Sequence, residues 1–155
     1  MKHFLFVLFL TVCLNSFSQT PNKPVTWTVE YKSISATEGE VVFTAKIDKK
    51  WHIYSQRPTD VGPIPTSFTV SANDNVEIVG TAQEGNAHEE YVAAFDAKVF
   101  VFTENAVFKQ KIKRKNASAF SLQTALEFMT CNDVQCLPPS TLNFTVEIPA
   151  LKKGS

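Results

Sequence analysis

Residues 25–34 read Val25-Thr26-Trp27-Thr28-Val29-Glu30-Tyr31-Lys32-Ser33-Ile34, with an apolar or aromatic side chain on every second position as far as Tyr31. A period of two belongs to an extended chain with one face against a core and the other in water. The rhythm returns in Glu40–Ile47 (Glu-Val-Val-Phe-Thr-Ala-Lys-Ile) and, less strictly, in residues 51–55, 66–71, 76–82, 98–103, 106–113, 122–130 and 142–148. β-Branched and aromatic residues are frequent in these segments, and Glu38-Gly39, Asp48-Lys49-Lys50 and Asn73-Asp74-Asn75 punctuate them as turns. About nine short strands with no helical period predict an all-β chain, an immunoglobulin-like β-sandwich.

Two stretches interrupt the rhythm. Arg57–Pro65 holds Pro58, Gly62, Pro63 and Pro65, so an irregular loop is expected there. Glu84–Asp96 is acidic, carries Tyr91 and Phe95, and reads as a long loop of the kind that tends to be functional. The basic residues Lys109, Lys111, Lys113, Arg114 and Lys115 alternate with Gln110 and Ile112, which suggests the solvated face of an edge strand.

The first residues follow a different grammar. Lys2 and His3 precede an uninterrupted apolar run from Phe4 to Val12, and small or polar residues (Asn15, Ser16, Ser18) follow. This predicts a signal peptide over residues 1–19 and export of a domain spanning 20–155. The run is too short for a bilayer, which needs about 20 apolar residues. Leu10-Thr11-Val12-Cys13 loosely resembles a lipid-attachment site, but Val12 is bulky where a small residue is required, so no anchor at Cys13 is expected. Fifteen basic residues balance fifteen acidic ones, which leaves no electrostatic footprint for nucleic acid and no basic run for a membrane surface.

With Cys13 in the signal, the exported chain keeps two cysteines, Cys131 and Cys136. Asn132 and Asp133 favour a turn, and the flanking strands 122–130 and 142–148 would set the two sulfurs opposite each other across a hairpin ladder. Directly opposed Cα atoms lie ~4.5–5.5 Å apart, within reach of a disulfide. A cross-link closing so short a loop stabilises by only ~2 kcal/mol in the chain-entropy model, against nearly 5 for a long one. That favours a reagent over a staple, because thiol–disulfide exchange needs two neighbouring thiols, one attacking and one resolving. Two other readings stay open: a non-catalytic immunoglobulin-like binding module with a structural disulfide, and a soft-metal (copper) carrier using Met129 and a histidine. Against the metal, no second pair stands at ligand spacing, so no metal and no other cofactor is expected. His52, between Trp51 and Ile53, and His88, in a polar stretch, read as ordinary strand and loop residues.

The residues around the cysteines resemble a known family. Met129-Thr130-Cys131-Asn132-Asp133-Val134-Gln135-Cys136-Leu137-Pro138-Pro139, followed by Phe144-Thr145-Val146, is similar to the cysteine hairpin of the N-terminal domain of DsbD, the membrane thiol:disulfide interchange protein. Trp51-His52-Ile53-Tyr54-Ser55-Gln56, Gly62-Pro63-Ile64-Pro65-Thr66-Ser67-Phe68 and the stretch from Tyr91 to Phe102 into Val107-Phe108-Lys109-Gln110-Lys111 resemble that domain too. The resemblance implies a periplasmic electron-relay domain, a component of a protein-disulfide reductase system of the sort that serves cytochrome c biogenesis. Its donor would be the thioredoxin-like reductase domain of a membrane electron transporter, and its clients periplasmic thioredoxin-fold oxidoreductases. Full members of the family continue into a membrane domain and a thioredoxin domain, whereas this sequence stops at Ser155; taken as a separate polypeptide, it is expected to meet the membrane only through a partner protein. The resemblance assigns Cys136 to the mixed disulfides and Cys131 to their resolution. It also places a cap over the pair at His88-Glu89-Glu90-Tyr91. From the residues themselves, Tyr91 is expected to be the lid, because aromatics make favourable contacts with sulfur, with Phe95 as the second candidate, and Glu89, Glu90 and Asp133 are expected to oppose thiolate formation.

Overall fold

The alternating sequence becomes eleven strands in the computed structural model, which describes residues 23–58, 62–93 and 95–151. In chain order they are β1 (Val25–Ser33), β2 (Glu38–Ile47), β3 (His52–Tyr54), β4 (Ser67–Val70), β5 (Val76–Glu84), β6 (His88–Val92), β7 (Ala97–Thr103), β8 (Asn105–Arg114), β9 (Phe120–Phe128), β10 (Thr130–Cys131) and β11 (Ser140–Ile148). The expected signal peptide and Cys13 lie outside the described residues. All named pairings are antiparallel, and they make three sheets, ordered β1-β2-β8-β5, β11-β9-β4 and β10-β3-β7-β6.

An aromatic cluster holds the first two sheets face to face. Phe68 of β4 meets Phe43 of β2 at 4.5 Å and Phe108 of β8 at 4.7 Å between ring centroids, and Trp27 of β1 meets Phe128 of β9 at 5.4 Å. The third sheet joins the same core through Phe102 of β7, which packs edge-on against Phe108 at 5.2 Å. Phe108 is therefore the point where the three sheets converge, and it is fully buried. The result is the expected immunoglobulin-like, all-β sandwich.

Three local expectations are corrected. Glu84–Asp96 is not a continuous loop, since residues 88–92 form β6 and pair with β7. The stretch lacks the uninterrupted apolar alternation that marks a strand, because only Val92 in it is buried. The basic alternation on β8 does not mark an edge, as β8 lies between β2 and β5. One-sided burial produces that pattern wherever the strand sits in the sheet. Arg114, grouped by sequence with the exposed lysines, falls in the buried phase with Gln110 and Ile112.

The third sheet carries the site, and β3 is its fixed element. Ser55 donates through Oγ to Glu84 at 2.7 Å, and the Gln56 amide donates to the same carboxylate at 2.8 Å. On the other side Thr66 Oγ1 donates to the Tyr54 carbonyl. Glu84 is delivered to this position past a bulge in β5, whose Val79 and Gly80 carbonyls accept from the buried Gln110 amide at 3.0 and 3.3 Å. Gly80 stands at φ 65°, a left-handed conformation that costs glycine nothing.

Candidate redox site at the edge of the third sheet

Cys131 and Cys136 form a disulfide, with Cα atoms 4.0 Å apart. They do oppose each other, but not across the predicted ladder. The β9–β11 pairing ends at Phe128↔Ser140, and the chain between makes its own excursion. At Thr130 it leaves the second sheet and becomes the edge strand β10, pairing Thr130↔Ile53 and Cys131↔His52. Thr130 Oγ1 secures the junction by donating to the His52 carbonyl at 2.8 Å. Thr130 is therefore a buried polar residue with a partner, and its hydroxyl helps select the neighbouring sheet.

Asn132 shapes the loop. Its Oδ1 accepts from the Val134 and Gln135 amides at 2.9 and 2.8 Å, and its own amide donates to the Gln135 carbonyl at 2.9 Å. This is the local side-chain turn for which asparagine is suited. Leu137 then donates to the Thr130 carbonyl at 2.9 Å, which closes a miniature ladder around the Cys131↔Cys136 bridge. The two sulfur-bearing residues differ in access. Cys131 is fully buried, Cys136 is partly exposed, and Val134 at the loop tip is almost fully exposed.

Strand register decides what surrounds the pair. Ile53 and Phe102 turn toward the main core, so His52, Tyr54, Val99, Val101 and Cys131 share the opposite face. There Tyr54, Val92, Val99, Val101 and Cys131 form a second buried cluster, flanked by Phe95, Ala97, Met129 and Cys136. The Phe95 ring meets Tyr54 edge-on at 6.2 Å. The cap residues divide by strand parity. Glu90 faces inward with His88, whose Nε2 lies 3.5 Å from its carboxylate, whereas Glu89 reaches the exposed Lys98 at 3.3 Å. Tyr91 is 57% exposed and donates its hydroxyl to Asp96, which stands at φ 50° in the β6–β7 turn. Of the two aromatics expected in the cap, Phe95 rather than Tyr91 thus packs against the cluster that contains Cys131.

A groove of about 390 Å³ separates β6 from the cysteine loop, lined by His52, Glu90, Tyr91, Val92, Ala93 and residues 132–135. His52 and Tyr54 lie buried beside it with His52 Nε2 and the Tyr54 hydroxyl 3.0 Å apart. Burial pushes the His52 imidazole below its ordinary pKa, opposed by Glu90 and Asp133 and reinforced by His88. Burial, then Glu90, pushes the Tyr54 phenol upward, so it stays protonated at any physiological pH. The hydrogen bond to Asp96 raises the Tyr91 phenol. Sequence reading took His52 for an ordinary strand residue. The available signal was the parity of Trp51-His52-Ile53-Tyr54, which puts the two polar rings together on the face opposite Ile53. Among the described residues no three His, Cys, Asp or Glu side chains gather as metal ligands.

No curated protein matches the sequence. Among solved structures, the N-terminal domain of Neisseria meningitidis DsbD in its reduced form aligns with TM-score 0.54 at 16% identity, over 86% of this chain and 92% of that one. The N-terminal periplasmic domain of ScsB from Proteus mirabilis aligns with TM-score 0.58 at 14% identity, over 85% of this chain and 51% of that one. At such identities these two likenesses speak to the fold. The sequence itself matches the family described as thiol:disulfide interchange protein DsbD, N-terminal, across residues 21–148, so this disulfide-bearing sandwich belongs to the DsbD N-terminal domain family.

Proposed function

We propose that this thiol–disulfide exchange domain is a periplasmic electron relay, running from residue 20 to 155 after removal of a signal peptide at 1–19. It accepts two electrons from the thioredoxin-like reductase domain of a membrane electron transporter and passes them to periplasmic thioredoxin-fold oxidoreductases. The carrier is the Cys131–Cys136 pair alone. One observation supports the reading above the others, the unequal burial of the two cysteines in a bond at a sheet edge. A disulfide that serves as a reagent needs one sulfur within a partner's reach and one held back to resolve the mixed intermediate. Cys136 suits the first role and Cys131 the second. Around them Phe95 supplies apolar cover, Tyr91 and Asp96 hold the turn that carries Phe95, and Glu90 contributes charge on the same face. Glu89, paired with Lys98 on the outer face, is left a part in partner contact.

The test is covalent trapping. Cys131→Ala is expected to accumulate mixed disulfides with a thioredoxin-fold partner that lacks its own resolving cysteine, while Cys136→Ala forms few. Equal trapping by both variants would remove the assignment. A structural staple predicts no trapping by either.

A further inference from the structure

Cys131 poses a chemical problem that Cys136 does not. To resolve a mixed disulfide its thiol must lose a proton, yet the residue is fully buried. A thiolate in apolar surroundings is costly, so the proton needs a nearby internal acceptor. The register supplies one. His52 is the directly paired cross-strand neighbour of Cys131, on the same face, where side chains of such pairs stand ~4.5–5.5 Å apart at Cβ. Its ring is held edge-on to Tyr54, itself a member of the buried cluster that contains Cys131.

Resting on the exchange reading above, we propose that His52 is the acid–base partner of the buried cysteine, taking the Cys131 proton when the disulfide closes and returning one when it opens. In the delivering direction the Cys136 thiolate first attacks a client disulfide. The client S–S bond breaks, and its electron pair leaves on the second client sulfur. The Cys131 thiol then passes its proton to the imidazole, and its sulfur attacks Sγ of Cys136. The Cys131–Cys136 bond forms and the Cys136–client bond breaks. The electron pair departs on the client sulfur, which is protonated by the imidazolium or by solvent. The cysteine pair loses two electrons and the client disulfide gains two.

The surroundings of His52 suit this role. The groups that face it are Tyr54 on its own strand, His88 and Glu90 on β6, Asp133 on the cysteine loop and Cys131 on β10. In the tautomer that donates from Nε2 to the Tyr54 oxygen, Nδ1 keeps a lone pair for the thiol proton. An imidazole is the stronger base by about two units over a carboxylate in their ordinary states. Burial keeps the ring neutral near pH 7, the form a base requires, while Glu90 and Asp133 favour the imidazolium once it forms.

The reaction of the reduced full chain with 5,5′-dithiobis(2-nitrobenzoate) separates the steps. Release of the first thionitrobenzoate reports attack by Cys136, and release of the second reports closure by Cys131. Replacing His52 with phenylalanine (His52→Phe) is expected to slow the second phase roughly tenfold or more at neutral pH, in the direction of general-base loss. It should leave the first phase within about twofold and remove the low-pH inflection of the second. An unchanged second phase with an unchanged pH profile overturns the proposal. Absence of rapid two-phase release in the unaltered protein instead removes the exchange reading on which it rests. If His52→Phe fails to fold, the unaltered protein decides by NMR titration of the His52 ring. Its pKa should differ between oxidised and reduced forms, and identical curves overturn the proposal.

Discussion

Arg114 donates to three backbone carbonyls, those of Asn116 at 2.9 Å, Pro149 at 3.0 Å and Ser118 at 2.8 Å, and so ties the end of β8 to the chain after it and to the end of β11. A guanidinium matches three divergent acceptors because its donors are fixed in a planar fork. Arg114→Met is expected to cost about 2 kcal/mol, since bonds from a charged donor are lost while the carbonyls stay in place. Arg114→Lys should recover less than half of that, because one ammonium cannot span the same acceptors. Urea midpoints at unchanged slope measure both, and an unmoved midpoint for Arg114→Met contradicts the account. His52 makes a second expectation, in pH. Its proton is held more weakly in the folded state than in the unfolded chain, where the ordinary value is 6.5. The unfolded chain therefore binds more protons below that pH, so this contribution is complete above 6.5 and is lost as pH falls toward the depressed folded value. Stability against pH should show that loss in the native protein and lack it in His52→Phe. Neither residue announced itself in sequence. Arg114 sits at the end of a basic run, and its burial follows only from strand parity. His52 acquires meaning from a cross-strand neighbour nearly eighty positions away.

The β6–β7 hairpin lies beside the sulfurs and is proposed to govern access to them. Val92 belongs to the buried cluster that contains Cys131 and Phe95 packs against it, whereas the Tyr91 ring lies outside and its hydroxyl binds Asp96. Phe95→Ala is therefore expected to speed alkylation of the reduced pair severalfold, and Tyr91→Ala to act less strongly, by loosening the turn. Iodoacetamide kinetics on the two folded variants decide the order, and a larger effect of Tyr91→Ala would restore it as the lid. Amphipathic strands such as β1, β2, β8 and β9 could be read from their alternation. β6 and β10 could not, for different reasons. β6 buries little apolar surface, and β10 is two residues whose pairing depends on Thr130 bonding to the His52 carbonyl across the sheet boundary. The cysteine loop was partly legible, in that Asn132 and Asp133 signalled the turn. The ladder that the loop joins is a tertiary choice.

At the scale of the molecule, three sheets converge on Phe108, and the redox-active candidate occupies the far face of the third, away from the main core. The arrangement separates labour. The sandwich core is closed by aromatic packing without the disulfide, so the state of the Cys131–Cys136 bond can change while the fold persists. The reduction potential of the pair decides whether that separation holds. Equilibration of the full chain with defined dithiol buffers, read by gel-shift alkylation, gives that potential in one experiment. A value above about −300 mV is expected, in the range of exchanging disulfides, with the reduced protein retaining its far-ultraviolet spectrum and cooperative unfolding. A potential well below about −300 mV, or loss of the folded state on reduction, would contradict it and make the bond a structural staple.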